Sequence, residues 1–254
     1  MADPDNRAPN DEEKKPLEVE DMKRLASQID KKRALRESSE MFYKNIHSEL
    51  KEYDAEFLKE YSNSMNLNYE VMILSICGDL NVGTILRTAH MFGVKKFIVY
   101  GKKKFDTRST VGALSYTNHE RVFGLKDRDK TEKKILTTTD RIICPETLYR
   151  HLMDNDLIPV LVEQHSSAIF LDELNWNERE TLIDFPNKRF CFILGNEGLG
   201  ISDDVINRCL EIEGSFVLSI RQMGILRSLN VSAAASIVLY NYYEFRMRKR
   251  TEIY

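Results

Sequence analysis

The sequence predicts an α/β domain with a mainly parallel sheet, preceded by a helical extension. Three observations carry that prediction. From about residue 69 onward, short β-rich apolar runs alternate with stretches whose apolar residues recur at helical spacing. The first of these runs, with the helical stretch after it and the run at 96–100, forms a strand–helix–strand unit. Three polar or glycine-rich segments, 78–81, 195–200 and 222–228, each follow a predicted strand. In open sheets of this type, ligands sit outside the carboxyl ends of the strands.

The elements follow in order. Residues 1–18 are rich in Asp, Glu, Lys, Asn and Pro, with almost nothing to bury, and read as a disordered tail. Residues 19–65 stay highly charged, but Leu25, Ile29, Leu35, Ile46, Leu50, Phe57 and Tyr61 return at helical spacing, predicting one or two amphipathic helices. The core domain is expected over 66–254. Within it, 71–77 reads as a buried strand ending in Gly78-Asp79, and 81–92 as a helix closed by Gly93. A second strand, 96–100, completes a strand–helix–strand unit. A charged helical stretch is expected near 127–137. A helix over 145–153 has Pro145 at its first position, where a missing N–H costs nothing. Strands are expected at 158–163, 189–194 and 216–220, a short helix at 202–208, and a long final helix at 228–248.

Composition narrows the function classes. The formal net charge of -3 gives no bulk attraction to nucleic acid, so any such binding must come from local clusters. Lys95-Lys96, Lys102 to Lys104 with Arg108, and Arg246 to Arg250 are basic; the tail and 172–180 are acidic. The four cysteines have no zinc or redox spacing, and the five histidines are scattered, so no metal is expected. No stretch approaches the roughly 18 apolar residues of a membrane span. The polar N-terminus resembles neither a secretory signal nor a transit peptide, so the expected location is the cytoplasm, or the nucleus in a eukaryotic host.

Three segments stand out chemically. The first is Asn81-Val82-Gly83-Thr84-Ile85-Leu86-Arg87, with an Asn at a helix start and an Arg six residues on. On its own, it also reads as a capping Asn and a surface Arg. The second is Gly195-Asn196-Glu197-Gly198-Leu199-Gly200, whose glycines permit a sharp turn and close approach of a ligand. It is neither a P-loop nor a dinucleotide fingerprint. A carboxylate at Glu197 in such a turn needs a partner. The third is Ser228-Leu229-Asn230-Val231-Ser232-Ala233-Ala234-Ala235, in which Ser228 is a candidate N-cap and the small residues allow close helix packing.

In this order, Asn-x5-Arg, GNEGxG and SLNVSAAAS resemble the three signature motifs of the SpoU (TrmH) methyltransferases, members of the SPOUT superfamily. The resemblance runs from about Tyr69 to Tyr243 and leaves out the first 65 or so residues. It implies an α/β fold with a C-terminal trefoil knot, a homodimer, and transfer of a methyl group from S-adenosyl-L-methionine (SAM) to a ribose 2′-hydroxyl of tRNA or ribosomal RNA, with tRNA slightly favoured. By the same correspondence, Arg87 addresses the ribose hydroxyl, Asn81 and Glu197 support it, and Ser228 and Asn230 lie near the methyl donor. Gly195, Ile220 and Leu229 line the SAM site. The sequence departs from the pattern at Arg221, where many members have Pro. Two rivals share the fold: a SPOUT enzyme that methylates a base, against which the Asn-x5-Arg context argues, and a catalytically silent RNA-binding or assembly factor, against which the joint presence of all five polar residues argues.

Overall fold

The computed structural model of the protein describes residues 46–74, 78–101, 105–122, 143–184 and 186–251. The expected tail, the first amphipathic stretch at 25–35 and the charged helix at 127–137 lie outside the described residues. The chain divides into two compact units, Met1–Met65 and Asn66–Tyr254.

In the first unit, a 3-10 turn at Ser48–Leu50 precedes helix α1, Ala55–Ser64. The Asp54 carboxylate caps α1 by accepting from the Phe57 amide at 2.8 Å. Tyr53, Phe57 and Tyr61, spaced four apart, stack their rings along one side of the helix.

The second unit is built on strand β1 (Glu70–Leu74), helix α2 (Asp79–Met91), β2 (Lys96–Tyr100), β3 (His119–Val122), α3 (Pro145–Asp154), β4 (Leu157–Val162), β5 (Ile169–Phe170), α4 (Trp176–Thr181), β6 (Arg189–Leu194), α5 (Asp203–Cys209), β7 (Phe216–Ser219) and α6 (Val231–Thr251). The seven strands form one sheet in the order β3-β2-β1-β6-β4-β7-β5. Every pairing is parallel, so the expectation of a mainly parallel sheet holds throughout the described strands. Strands β1, β4, β6 and β7 are almost wholly buried, which explains why they read as continuous apolar runs and do not alternate. The order reverses between β1 and β6, the kind of switch point at whose carboxyl edge open sheets bind ligands.

Three short elements went unread in the sequence. β3, of sequence HERV, is a polar edge strand, β5 has two residues, and α4 falls in a stretch that reads as an acidic surface. α4 starts at Asn175, whose side chain accepts from the Asn177 amide, and it buries Trp176 and Glu180. Trp176 packs against Phe190, Phe192, Phe216, Tyr242 and Phe245 and donates its indole N–H to Asn241 Oδ1 at 2.7 Å. The Glu180 carboxylate accepts from Arg246 (2.7 Å), Tyr242 (3.1 Å) and Lys249 (2.8 Å). Glu70, equally buried, takes two hydrogen bonds from Arg189. Buried carboxylates need such partners to stay charged.

α6 buries Ala235, Val238, Leu239, Tyr242 and Arg246, one face at i, i+3, i+4, i+7 and i+11. It packs beside α2, with Thr88 and Ser236 hydroxyls 3.4 Å apart and Phe92 against Tyr240 and Tyr243. The basic run at its end is not a free patch: Arg246 and Lys249 serve Glu180, and Arg248 pairs with Glu244.

Candidate functional site at the carboxyl edge of the sheet

The second and third singled-out segments follow β6 and β7; β1 ends at Leu74, and the remainder of the strand expected to 77 lies outside the described residues. Gly78 is the extended N-cap of α2, so the helix starts two residues earlier than Asn81. Asn81 therefore sits inside the first turn, and its side chain joins the other two segments. Its Nδ2 donates to Glu197 Oε1 at 2.8 Å, and its Oδ1 accepts from Asn230 Nδ2 at 3.2 Å. The same Glu197 oxygen accepts from the Gly78 amide at 3.0 Å. The turn's carboxylate thus has its partners in the first segment.

Asn230, and not Ser228, caps α6. Its Oδ1 accepts from the Ser232 amide at 2.9 Å, the Ala233 amide at 3.4 Å and the Ser232 hydroxyl at 2.6 Å. The helix accordingly begins at Val231, and Ser228 is an exposed loop residue. Asn has a shorter reach to N2 and N3 from this position than a Ser two residues further back, so it wins the cap.

The glycine-rich turn is tightly closed. Asn196 and Gly200 exchange main-chain hydrogen bonds of 2.8 and 3.2 Å, while Asn196 Oδ1 accepts from the Gly198 and Leu199 amides. Gly195 is buried, and a Cβ there would lie 2.6 Å from the Gly200 carbonyl carbon and 2.7 Å from Ile201. Gly200 has φ 64°, a left-handed conformation, and a Cβ would come within 2.5 Å of Glu163.

From β7 the chain enters loop 221–229. Ile220 is half-buried against the core, and Leu229 is partly exposed. Met223, Ile225 and Leu226 project into solvent. Among the described residues, the main-chain groups of 221–229 make no hydrogen bond. Arg221 donates to Asp172 and Glu173 and lies 4.0 Å over the Phe170 ring. The hydrogen bond to Asp172, with the field of both carboxylates, raises its guanidinium above the ordinary range.

Arg87 stands apart from this cluster. It is exposed and has no hydrogen bond or ion pair among the described residues. Helix geometry places it about 9 Å further along the axis than Asn81. It shares a face with Leu80, Thr84 and Met91, of which Leu80 and Met91 are also exposed.

Two residues at this edge were missed in the sequence. Glu163, just past β4, accepts from the Ile201 amide at 2.9 Å and supports the glycine turn from below. A lone carboxylate ending the run LIPVLV was the available signal. Asp79 accepts from the Asp106 amide at 2.9 Å, and its carbonyl accepts from the Ser109 hydroxyl, which docks segment 105–110 against the start of α2. That segment carries Arg108, highly exposed and paired with Asp106, whose carboxyl it holds below its ordinary range through their hydrogen bond. Lys102 to Lys104 lie outside the described residues. No group of three or more His, Cys, Asp or Glu among the described residues could hold a metal ion. No helix among them is long and apolar enough to cross a membrane.

The described strands form an all-parallel α/β sheet with a polar, glycine-containing cluster at the carboxyl edge beside its switch point. The model of the SpoU rRNA Methylase family matches residues 68–240, and the chain belongs to that family. Two solved structures agree on the fold. The TrmH/SpoU tRNA modifying enzyme of A. aeolicus aligns at 22% identity over 77% of this chain and 83% of its own, with a TM-score of 0.54. A probable methylase family protein from Haemophilus influenzae aligns at 15% identity over 72% and 68%, with a TM-score of 0.50. The SpoU methyltransferase AviRb from Streptomyces viridochromogenes, in complex with the cofactor AdoMet, aligns at 19% identity with a TM-score of 0.48; the match takes in 70% of this chain but only 57% of AviRb. Comparison with curated proteins gave no match.

Proposed function

We propose that the protein is an RNA 2′-O-ribose methyltransferase that uses SAM, acts on tRNA or ribosomal RNA, and works as a homodimer with the C-terminal knot of its family. The observation that carries this reading is the hydrogen-bonded chain from Glu197 through Asn81 to Asn230. It joins the three signature segments at one edge of the sheet, although nothing in the packing of the core demands it.

This edge suits a ligand held largely by main-chain groups. The loop 221–229 offers amides and carbonyls that no described residue uses, and Gly195 lets the 195–200 turn close tightly at the end of β6. Gly195, Ile220 and Leu229 are the residues that would hold SAM. When bound, SAM supplies an electrophilic methyl group. The chain's own residues then have distinct tasks. Asn81, Glu197 and Asn230 fix the turn and the start of α6 relative to each other. The exposed Ser228 hydroxyl is free to hydrogen-bond a reactant at the same edge.

Arg87 orients and polarises the ribose hydroxyl. A guanidinium, with a pKa above about 12, stays charged and is a poor base on its own. A charge-assisted contact from Arg87 to an RNA phosphate would place the nucleotide, and that phosphate can take the hydroxyl proton. Much of the rate would come from holding two reactants in line.

Arg87's distance from the cluster fits a dimer. Leu80 and Met91 of α2 and Ile237 and Tyr240 of the adjacent α6 form an exposed apolar face. A second copy covering that face would bring Arg87 to the interface, within reach of the partner's site.

The test is incubation of the protein with methyl-labelled SAM and, separately, total tRNA and ribosomal RNA, followed by nucleoside analysis, with Arg87→Ala alongside. A 2′-O-methylated nucleoside that vanishes in the variant is expected. Label on a base, or no label together with no SAM binding, would overturn the proposal.

A further inference from the structure

Loop 221–229 spans from β7 to α6 with only its ends fastened. At the far end, Asn230 caps α6 and donates to Asn81. At the near end, the only side chain of the loop with a partner among the described residues is Arg221. Its Nε donates to Asp172 Oδ2 at 3.1 Å, its Nη2 donates to Glu173, and its guanidinium carbon lies 4.0 Å from the centroid of the Phe170 ring.

The placement follows from the sheet. β5 and β7 pair in parallel with Phe170 opposite Ser219. Directly after Phe170 the chain turns into a 3-10 helix, Leu171–Glu173, and that turn carries both carboxylates that meet Arg221. The main-chain ladder stops at Ser219, and these side-chain contacts join the two chain segments just beyond it. A planar guanidinium can engage two carboxylates along its edge while its face covers a ring. An ammonium at this position would retain the charge and lose both the fork and the stacking.

We propose that Arg221 is a positioning residue, a clamp that ties the chain leaving β7 to the 3-10 turn leaving β5, just past their last main-chain pair, and so holds loop 221–229 where the methyl donor binds. The clamp rests on the reading of this loop as part of the SAM site. Arg221, Asp172 and Glu173 are all substantially exposed, with side-chain accessibilities of 45%, 58% and 61%, so salt weakens the clamp. Loop order, and with it SAM affinity, falls with ionic strength by this route.

The test uses the full chain as wild type, Arg221→Ala, Arg221→Lys, the pair Asp172→Asn with Glu173→Gln, and that pair combined with Arg221→Ala. The first readout needs no ligand: the rate of chymotryptic cleavage after Leu226. The second is SAM affinity at about 50 mM and about 500 mM salt, a range that takes the screening length from longer than the contacts to close to them. The third is kcat at saturating SAM with the active RNA.

Arg221→Ala is expected to be cut several-fold faster and to bind SAM about tenfold more weakly, as loss of two exposed pairs and a ring contact implies, while kcat stays within about twofold. Arg221→Lys should fall between. The carboxylate pair should lose most of what Arg221→Ala loses, short of the ring contact it keeps, and the combination should match Arg221→Ala, because without the guanidinium the carboxylates have no clamp to serve. Wild-type affinity should drop more with salt than that of Arg221→Ala. Unchanged cleavage and unchanged SAM affinity in Arg221→Ala would overturn the clamp, as would loss of RNA turnover alone, which would make Arg221 an RNA contact. If the wild type bound no SAM, the proposed function would fall, and the cleavage rates would still decide whether Arg221 holds the loop.

Discussion

Gly195→Ala is a one-carbon change whose cost can be worked from the geometry. The added methyl would sit 2.6 Å from the Gly200 carbonyl carbon, 2.7 Å from an Ile201 side-chain carbon and 2.8 Å from the Gly200 oxygen. Carbon atoms rest about 3.5–4.0 Å apart, so one side must move by roughly 1 Å. Gly195 follows directly on the fully buried β6, which leaves the far side of the turn to yield. A shift of that size breaks the paired bonds between Asn196 and Gly200, now 2.8 and 3.2 Å. Two lost hydrogen bonds cost about 1–3 kcal/mol, and residual overpacking costs about as much again. The expected total of about 2–6 kcal/mol corresponds to a melting temperature lower by roughly 4–24 °C for a domain of this size.

SAM binding should suffer more than stability, because the distortion lies inside the proposed site. Calorimetric melting and equilibrium dialysis with labelled SAM would measure both. Gly198→Ala is the control, since its Cβ would meet nothing closer than Asn196 Oδ1 at 3.6 Å, and Gly224→Ala has open space around it. A Gly195→Ala protein with wild-type melting and wild-type SAM affinity would refute the account of the turn.

Other expectations follow from the same coordinates. Glu180→Ala leaves the buried Arg246 without its carboxylate and should lower unfolding stability by about 3–5 kcal/mol in a denaturant titration. Thr117 donates its hydroxyl to the Ala113 carbonyl, so it must accept from His90 Nδ1–H, and burial holds the His90 pKa below its ordinary value of 6.5. This contribution to stability is complete above about pH 6.5 and declines as pH falls toward the lowered value, because the unfolded chain is protonated first; melting curves should lose that portion of the pH dependence in His90→Gln. Reversing the charges of Lys102, Lys103, Lys104 and Arg108 should weaken RNA binding in filter assays and leave SAM affinity intact, with unchanged RNA affinity at moderate salt counting against the loop as an RNA contact. If Arg87 serves the partner's site, mixing Arg87→Ala with Gly195→Ala should restore part of the methyl transfer that each lacks alone.

The strands that build the sheet were legible because burial on both faces demands unbroken apolar runs: β1, β2, β4, β6 and β7 all fall where β-rich runs lie. β3 and β5 were not, because an edge strand needs no such run and HERV looks like loop. The charge clusters were uninformative for a related reason. The stretch 172–180 and the stretch 246–250 stand out in the sequence only as acidic and basic, yet Glu180 and Arg246 are buried against each other, and Asp172 and Glu173 engage Arg221. A pairing across 66 residues leaves no mark on local composition. At the site, the residues were visible from their motifs but their geometry was not. That Asn81 bonds sideways and Asn230 takes the cap from Ser228 depends on where each helix starts, and helix starts are fixed by φ/ψ at one residue.

The chain from Glu197 through Asn81 to Asn230 also sets a condition on how the protein comes into being. Asn81 meets Glu197 across 116 positions and Asn230 across 149. β1, made early, cannot pair with β6 until most of the polypeptide exists, and parallel strands joined over such spans form slowly. A nascent chain therefore presents the first signature segment long before the other two can reach it. The hydrogen-bonded cluster is completed last, when α6 packs and its cap closes, so a product stalled before α6 would carry the Asn and Arg of the first segment without Asn230 to join them. The closed cluster is then itself a report that all three segments have been made and have folded together.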